Sequence, residues 1–216
     1  MDSIILLGGS GTRLNAGTNK ILLPLNNLPL FLYSYNKLKK ISEKVILVIR
    51  KEDEEYIKKY TDKDTILVYG GSERYLSVLN GISKTSSKYV LIHDGARPFI
   101  KEENILNLMN NIEQYDAGMV CSKEINTVYK LDDNNLDTLN RNEIICAETP
   151  QIVNRGLFLE ALKFCIDNDI KVTDDISVIL KYKKKSAIKL EYTSGENFKI
   201  TNRKDYELAK VLINND

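Results

Sequence analysis

Val45-Ile46-Leu47-Val48-Ile49 is an unbroken apolar run. A strand with one face in water alternates apolar and polar residues; a continuous run is buried on both faces, as in a parallel sheet covered by helices. Similar runs at 3–7, 65–69, 88–93 and 116–121 predict further strands. Between them, helical patterns fall at about 30–40, 52–60, 74–84 and 102–114; the first places Leu30, Tyr33, Leu38 and Ile41 near one face. Strand and helix alternate, which predicts an α/β fold with an open, doubly wound, mostly parallel sheet. From about 122 to 147 the rhythm changes. Asp132-Asp133-Asn134-Asn135 is a turn signal between strand-like pieces at 127–131 and 136–139, which predicts a projecting β-hairpin arm. Helices at 155–167 and 174–183, a strand at 186–191 and a helix at 203–213 follow, so that residues 1–216 are read as a single domain.

Composition narrows the function. With 43% hydrophobic and 28% charged residues, the 216-residue chain supports a sizeable core. The net charge is +1, from 31 basic and 30 acidic residues, so nothing global points to nucleic acid or a membrane, and any anion site is built locally. Cys121, Cys146 and Cys165 are odd in number and widely spaced, which suits reduced thiols in a cytoplasmic protein. The lone His93 excludes a multi-histidine metal site. The apolar start is too short for a signal peptide or a membrane span.

The chemistry-bearing segments follow predicted strands. The first is Leu7-Gly8-Gly9-Ser10-Gly11-Thr12-Arg13-Leu14. Glycines let the backbone approach a ligand, and successive N–H groups at such a bend cradle phosphate oxygens. Leu14 stands where a dinucleotide fingerprint needs its third glycine, and no Gly-Lys-Ser/Thr follows as in a Walker A loop. The segment offers instead a glycine nest with Arg13 and then Lys20. The second is Gly70-Gly71-Ser72-Glu73-Arg74 with Ser77, at the carboxyl edge where open α/β sheets bind ligands. The third is His93-Asp94-Gly95-Ala96-Arg97-Pro98: Asp94 is placed to hold Mg²⁺ or a hydroxyl, His93 reads as structural, and Arg97 is expected to pair with a carboxylate or carbonyl. Glu148-Thr149-Pro150-Gln151 follows, then Thr173-Asp174-Asp175, in which Thr173 reads as a helix cap. Last is Asn197-Phe198-Lys199-Ile200-Thr201, read as a short strand presenting a cation.

In this order the segments resemble the 2-C-methyl-D-erythritol 4-phosphate cytidylyltransferase family, over about residues 3–212. The resemblance implies a Rossmann-like nucleotidyltransferase fold, a homodimer joined by the arm, a divalent cation such as Mg²⁺, and CTP with a small polyol phosphate as substrates. It implies that Arg13 and Lys20 bind the triphosphate, and that Asp94 and Lys199 sit at the reacting centre. Leu7, Gly8, Gly9, Gly11, Gly71, Ser77 and Gly95 would hold the nucleotide, and Thr149, Thr127 and Arg141 the acceptor, the last two reaching it across the dimer. Ribitol 5-phosphate cytidylyltransferase shares nearly all these motifs and is the alternative; a non-catalytic nucleotide-binding regulator would be expected to lose Arg13, Lys20, Asp94 or Lys199. The chain departs from the family's usual residues at three places: Leu7-Gly8-Gly9 for Ala-Ala-Gly, Asn19-Lys20-Ile21 for Pro-Lys-Gln, and Asn126 for an acidic residue.

Overall fold

The run at 45–49 lies between two parallel neighbours, and all five of its residues are buried. The protein is described here from a computed structural model, which covers residues 1–9 and 19–213. Gly11 and Arg13 lie outside the described residues. In chain order the elements are β1 (Asp2–Leu6), a 3-10 turn (Lys20–Leu22), β2 (Pro24–Leu25), β3 (Leu28–Pro29), α1 (Phe31–Ile41), β4 (Val45–Ile49), α2 (Glu54–Lys58), β5 (Ile66–Tyr69), α3 (Arg74–Ile82), β6 (Tyr89–Asp94) and α4 (Glu102–Met109). There follow β7 (Ala117–Lys123), β8 (Val128–Asp132), β9 (Asn135–Leu139), β10 (Ile145–Asn154), α5 (Arg155–Asp167), α6 (Asp175–Tyr182), β11 (Ile188–Thr193) and α7 (Arg203–Ile213).

Among the described residues, seven strands form the main sheet in the order β11-β7-β10-β6-β1-β4-β5. Successive side chains of a strand point to opposite faces, so each apolar run feeds two cores. Ile5, Leu47, Ile49 and Leu91 pack with Phe31, Leu38, Ile105 and Leu108 from α1 and α4. Ile4, Ile46, Val48 and Ile92 pack with Val78, Ile82, Phe158 and Ile179 from α3, α5 and α6. Each fully buried aliphatic side chain contributes about 1.5–3 kcal/mol. The sheet grows from β1 through β4 to β5, then resumes on the other side of β1 with β6. That reversal opens a crevice at the carboxyl ends of the strands.

Four local readings are corrected. Residues 145–154, to which the sequence reading assigns no strand, form β10, which runs antiparallel to both β6 and β7. The polar Glu148 and the proline at 150 hid it, and the ladder accommodates them with a register shift between Ala147 and Gln151. The small β2–β3 hairpin was missed; its turn uses Asn26 and Asn27 at φ 45° and 66°, left-handed values that asparagine tolerates. Residues 197–201 are not a strand, although Ile200 N–H donates to Ala96 O at 2.9 Å. The cap of α6 is Asp174, not Thr173: its carboxylate accepts from Ser177 N–H at 2.8 Å in a reciprocal capping box.

The expected arm is present. β8 and β9 pair with each other outside the main sheet, around a two-residue loop in which Asp133 has φ 51°. Tyr129, Leu131 and Leu136 on it are exposed. No described helix is long and apolar enough to cross a membrane.

Candidate active site

β1, β4, β5 and β6 end at one edge of the sheet, and a cleft of about 500 Å³ opens there. Gly8 and Gly9 after β1, Gly71, Ser72 and Ser77 around the start of α3, and Asp94 at the end of β6 line it. Lys20 and Lys199 line it from the far side of the edge. Seven of the residues singled out in the sequence thus meet in one cavity: Gly8, Gly9, Lys20, Gly71, Ser77, Asp94 and Lys199.

Asp94 is the electrostatic hub. Its Oδ2 accepts from Lys199 Nζ at 2.7 Å, and the guanidinium groups of Arg74 and Arg97 stand 3.8 and 3.9 Å from its oxygens. Burial by itself would raise this carboxyl, but Lys199, Arg74 and Arg97 outweigh it and hold it far below the usual carboxylate range. Asp94 is therefore a fixed anion and not a proton shuttle at neutral pH. Arg97 donates to Asn197 O at 2.7 Å, which ties the 197–201 segment to the turn after β6. Lys20 Nζ donates to Ile200 O at 2.8 Å, so one cleft lysine is held by the residue next to the other.

Other expected contacts lie behind the cleft. Leu7 is fully buried; its N–H donates to Val48 O and its carbonyl accepts from Asn19 Nδ2. Gly95 N–H donates to Leu6 O, and a Cβ there would overlap the end of the buried Leu7 side chain, which would have to move. Thr149 was expected to touch the acceptor, but it is buried and its hydroxyl is engaged internally: it accepts from Asp94 N–H at 3.0 Å and donates to His93 Nδ1 at 3.1 Å. His93 then carries its proton on Nε2, which faces Arg97 O at 3.2 Å. Full burial pushes this imidazole down to about 4, so it is neutral. Ser77 also works locally, accepting from Gly71 N–H at 3.0 Å and donating to Glu73 O at 3.2 Å, which fixes the glycine turn. Thr127 and Arg141 sit at the base of the arm and do not line the cleft; Arg141 donates to Ile125 O at 3.0 Å.

Sequence reading missed Ser34 and Lys37 as supports, and it quoted Arg74 and Gln151 without assigning them a role. Ser34 and Lys37 of α1 donate to the carbonyls of Arg97, Pro98 and Ile100, clamping the turn that follows Asp94. Arg74 grips Asp175 with two 2.8 Å bonds, and Gln151 Oε1 accepts from the N–H groups of Asp175 and Ile176, so α6 is tied to both α3 and β10. Their spacing gives no local signal; only the fold makes them neighbours.

A doubly wound sheet with a glycine-lined, lysine-bearing cleft at its reversal point defines a nucleotide-binding α/β protein of the nucleotidyltransferase class. The family model described as IspD, 2-C-methyl-D-erythritol 4-phosphate cytidylyltransferase, matches residues 1–215, and the chain belongs to that family. It is 33% identical over 225 residues to the protein of that name from Clostridium novyi, spanning 99% of this chain and 96% of the relative. It is 34% identical to the one from Clostridium beijerinckii, spanning 100% and 99%. The solved 4-diphosphocytidyl-2C-methyl-D-erythritol synthase of Anaerococcus prevotii superposes with a TM-score of 0.88 at 28% identity, covering 99% of this chain and 97% of its own. The Francisella tularensis enzyme gives 0.81 at 26%, covering 97% and 98%.

Proposed function

We propose that this protein transfers CMP from CTP to 2-C-methyl-D-erythritol 4-phosphate and releases pyrophosphate. The observation that carries this reading is the meeting of Lys20, Lys199 and Asp94 in one glycine-edged cleft, in a chain whose family is named for that reaction. A phosphate monoester has a second pKa near about 6, so the acceptor is already mostly dianionic at pH 7 and needs no general base. One of its oxygens attacks the α-phosphorus of CTP in line; the bond from that phosphorus to the bridging oxygen breaks, and pyrophosphate leaves with the electron pair. The obstacle is charge, because an anion must approach a polyanion. Fixed cations aimed at the charge that builds up are the remedy. In this reading Lys20 and Arg13 bind the triphosphate, Lys199 meets the α-phosphate, and Asp94 orients Lys199 and the acceptor. Gly8, Gly9 and Gly71 hold the nucleotide along their main chain, with Ser77 fixing the turn.

Among the described residues no group of three or more His, Cys, Asp or Glu side chains could hold a metal. Asp94 is a single carboxylate already surrounded by three cations. The residues present do not fit a resident metal centre, and a divalent cation such as Mg²⁺ enters, in this proposal, as part of the CTP complex.

The arm supports a homodimer. An isolated two-stranded hairpin is marginal in water, and this one exposes Tyr129, Leu131 and Leu136. A second copy covering it would bring Thr127 and Arg141 to the partner's acceptor site. Free Cys121, Cys146 and Cys165 suit a reducing, cytoplasmic setting. The test is pyrophosphate release from CTP with methylerythritol phosphate beside ribitol 5-phosphate. Turnover with the second and not the first sinks the reading.

A further inference from the structure

Asn19 is fully buried directly before Lys20. Its Nδ2 donates to Leu7 O at 2.8 Å and to Asp53 Oδ2 at 2.7 Å, while its Oδ1 accepts from Ile21 N–H at 3.4 Å. The first bond reaches the residue that follows β1, so one side chain joins the two ends of the segment between Leu7 and Asn19. The third caps the 3-10 turn that carries Lys20, and Asn19 O accepts from Leu22 N–H at 3.0 Å within that turn. The second bond is an anchor. Asp53 is buried, and Arg50 Nε and Nη2 donate to its two oxygens at 2.7 and 2.8 Å. Burial alone would raise the Asp53 carboxyl, yet the bonds from Arg50 and Asn19 hold it below the ordinary carboxylate range. Arg50 directly follows β4, the parallel neighbour of β1. An unbroken chain of bonds therefore runs from the end of β4, through Asp53 and Asn19, to the end of β1 and the turn bearing Lys20.

We propose that Asn19 is a positioning residue for the transfer reaction, stapling the Lys20 turn to the carboxyl ends of β1 and β4 through Leu7 and the Arg50–Asp53 pair. The backbone of Asn19 has φ −63°, the value a proline ring would impose, but here side-chain bonds hold it. With the turn so held, the Lys20 side chain meets the carbonyl of Ile200, the residue next to Lys199. Loss of the amide leaves the buried Leu7 carbonyl and one Asp53 oxygen short of a donor, and the turn relaxes to satisfy them. Misplacement of a charge by about 1 Å costs as much as about 100-fold in rate.

The inference rests on Lys20 acting at the phosphates, and the experiment separates the two claims. Steady-state pyrophosphate release is measured for wild type, Asn19→Ala, Asn19→Asp, Lys20→Ala and the double variant Asn19→Ala/Lys20→Ala, with thermal unfolding run in parallel. Asn19→Asp keeps the shape and loses the donor, so it serves if the alanine variant does not fold. The expected result is a kcat lowered roughly 10- to 100-fold in either Asn19 variant. KM for the acceptor stays within threefold, and the Asn19 change has no further effect once Lys20 is gone, because a residue acting through Lys20 has nothing left to position. A multiplicative loss in the double variant, or a folded Asn19 variant with kcat within threefold of wild type, overturns the proposal. A Lys20→Ala enzyme of wild-type kcat overturns the role of Lys20 itself, and this inference with it.

Discussion

Lys199 Nζ and Asp94 Oδ2 are 2.7 Å apart across 105 residues of chain. The lysine is thus held extended toward the cleft by a carboxylate that cannot be protonated at neutral pH. Removing either partner should be felt in turnover. Lys199→Ala is expected to lower kcat by roughly 10²-fold or more, as loss of a preorganised charge does. Asp94→Asn, which keeps the shape but releases the lysine, should also lower kcat in steady-state assays. A Lys199 variant within threefold of wild type would remove that residue from the mechanism.

The arm makes a prediction in trans. Arg141→Ala should weaken acceptor binding and leave CTP binding intact in calorimetry. At an acceptor concentration where Arg141→Ala and Lys199→Ala are each nearly inactive alone, mixing them with subunit exchange should restore about a quarter of wild-type activity. Half of the dimers are then mixed, and each mixed dimer has one intact site of two. No recovery on mixing counts against a shared site.

His93 gives a pH dependence of stability. Its folded pKa, about 4, lies below the unfolded value near about 6.5, so between these values the unfolded chain binds more protons. Stability should therefore fall as pH drops from about 6.5 to 4, by about 3 kcal/mol from this group alone. It is the single histidine of the chain, so the difference between wild type and His93→Gln in how the urea-unfolding free energy changes with pH isolates it. Parallel slopes in that window would contradict the burial argument.

Arg74 and Asp175 form a bidentate pair in which Asp175 is buried. Breaking such a pair strands a charge, at a cost of about 3–5 kcal/mol. Arg74→Ala is expected to lower the unfolding free energy by that order in denaturant titrations, and the combined Arg74→Met/Asp175→Leu variant to recover much of it. A combined variant less stable than Arg74→Ala would show that the pair itself stabilises the fold.

The fold was legible because burial on two faces leaves an unmistakable pattern. Val45–Ile49 reads as an inner strand and lies between two parallel neighbours, and α5 and α7 lie where the 3.6-residue period placed them. β10 was not legible, because its middle bends around Glu148 and Pro150 to bring Thr149 under Asp94, and that purpose breaks the apolar run. The cleft residues could be found wherever a ligand needs a glycine or a charge after a strand. Asn19, Ser34, Lys37 and Asp53 could not, since each is defined by a partner that only the folded chain supplies. Thr149 is expected from sequence at the acceptor, and the structure shows what sequence could not, that its hydroxyl is engaged between Asp94 N–H and His93.

The segment carrying Lys199 follows the last sheet strand in the chain and reaches the cleft only by folding back to Ala96 and Arg97. A nascent polypeptide that has emerged as far as Thr193 already owns every described strand of the main sheet, yet it lacks Lys199, one of the two lysines that line the cleft among the described residues. Delivery of the few residues from Ser194 to Lys199 completes the charge, so the capacity for turnover arrives only after the main sheet's strands have been made.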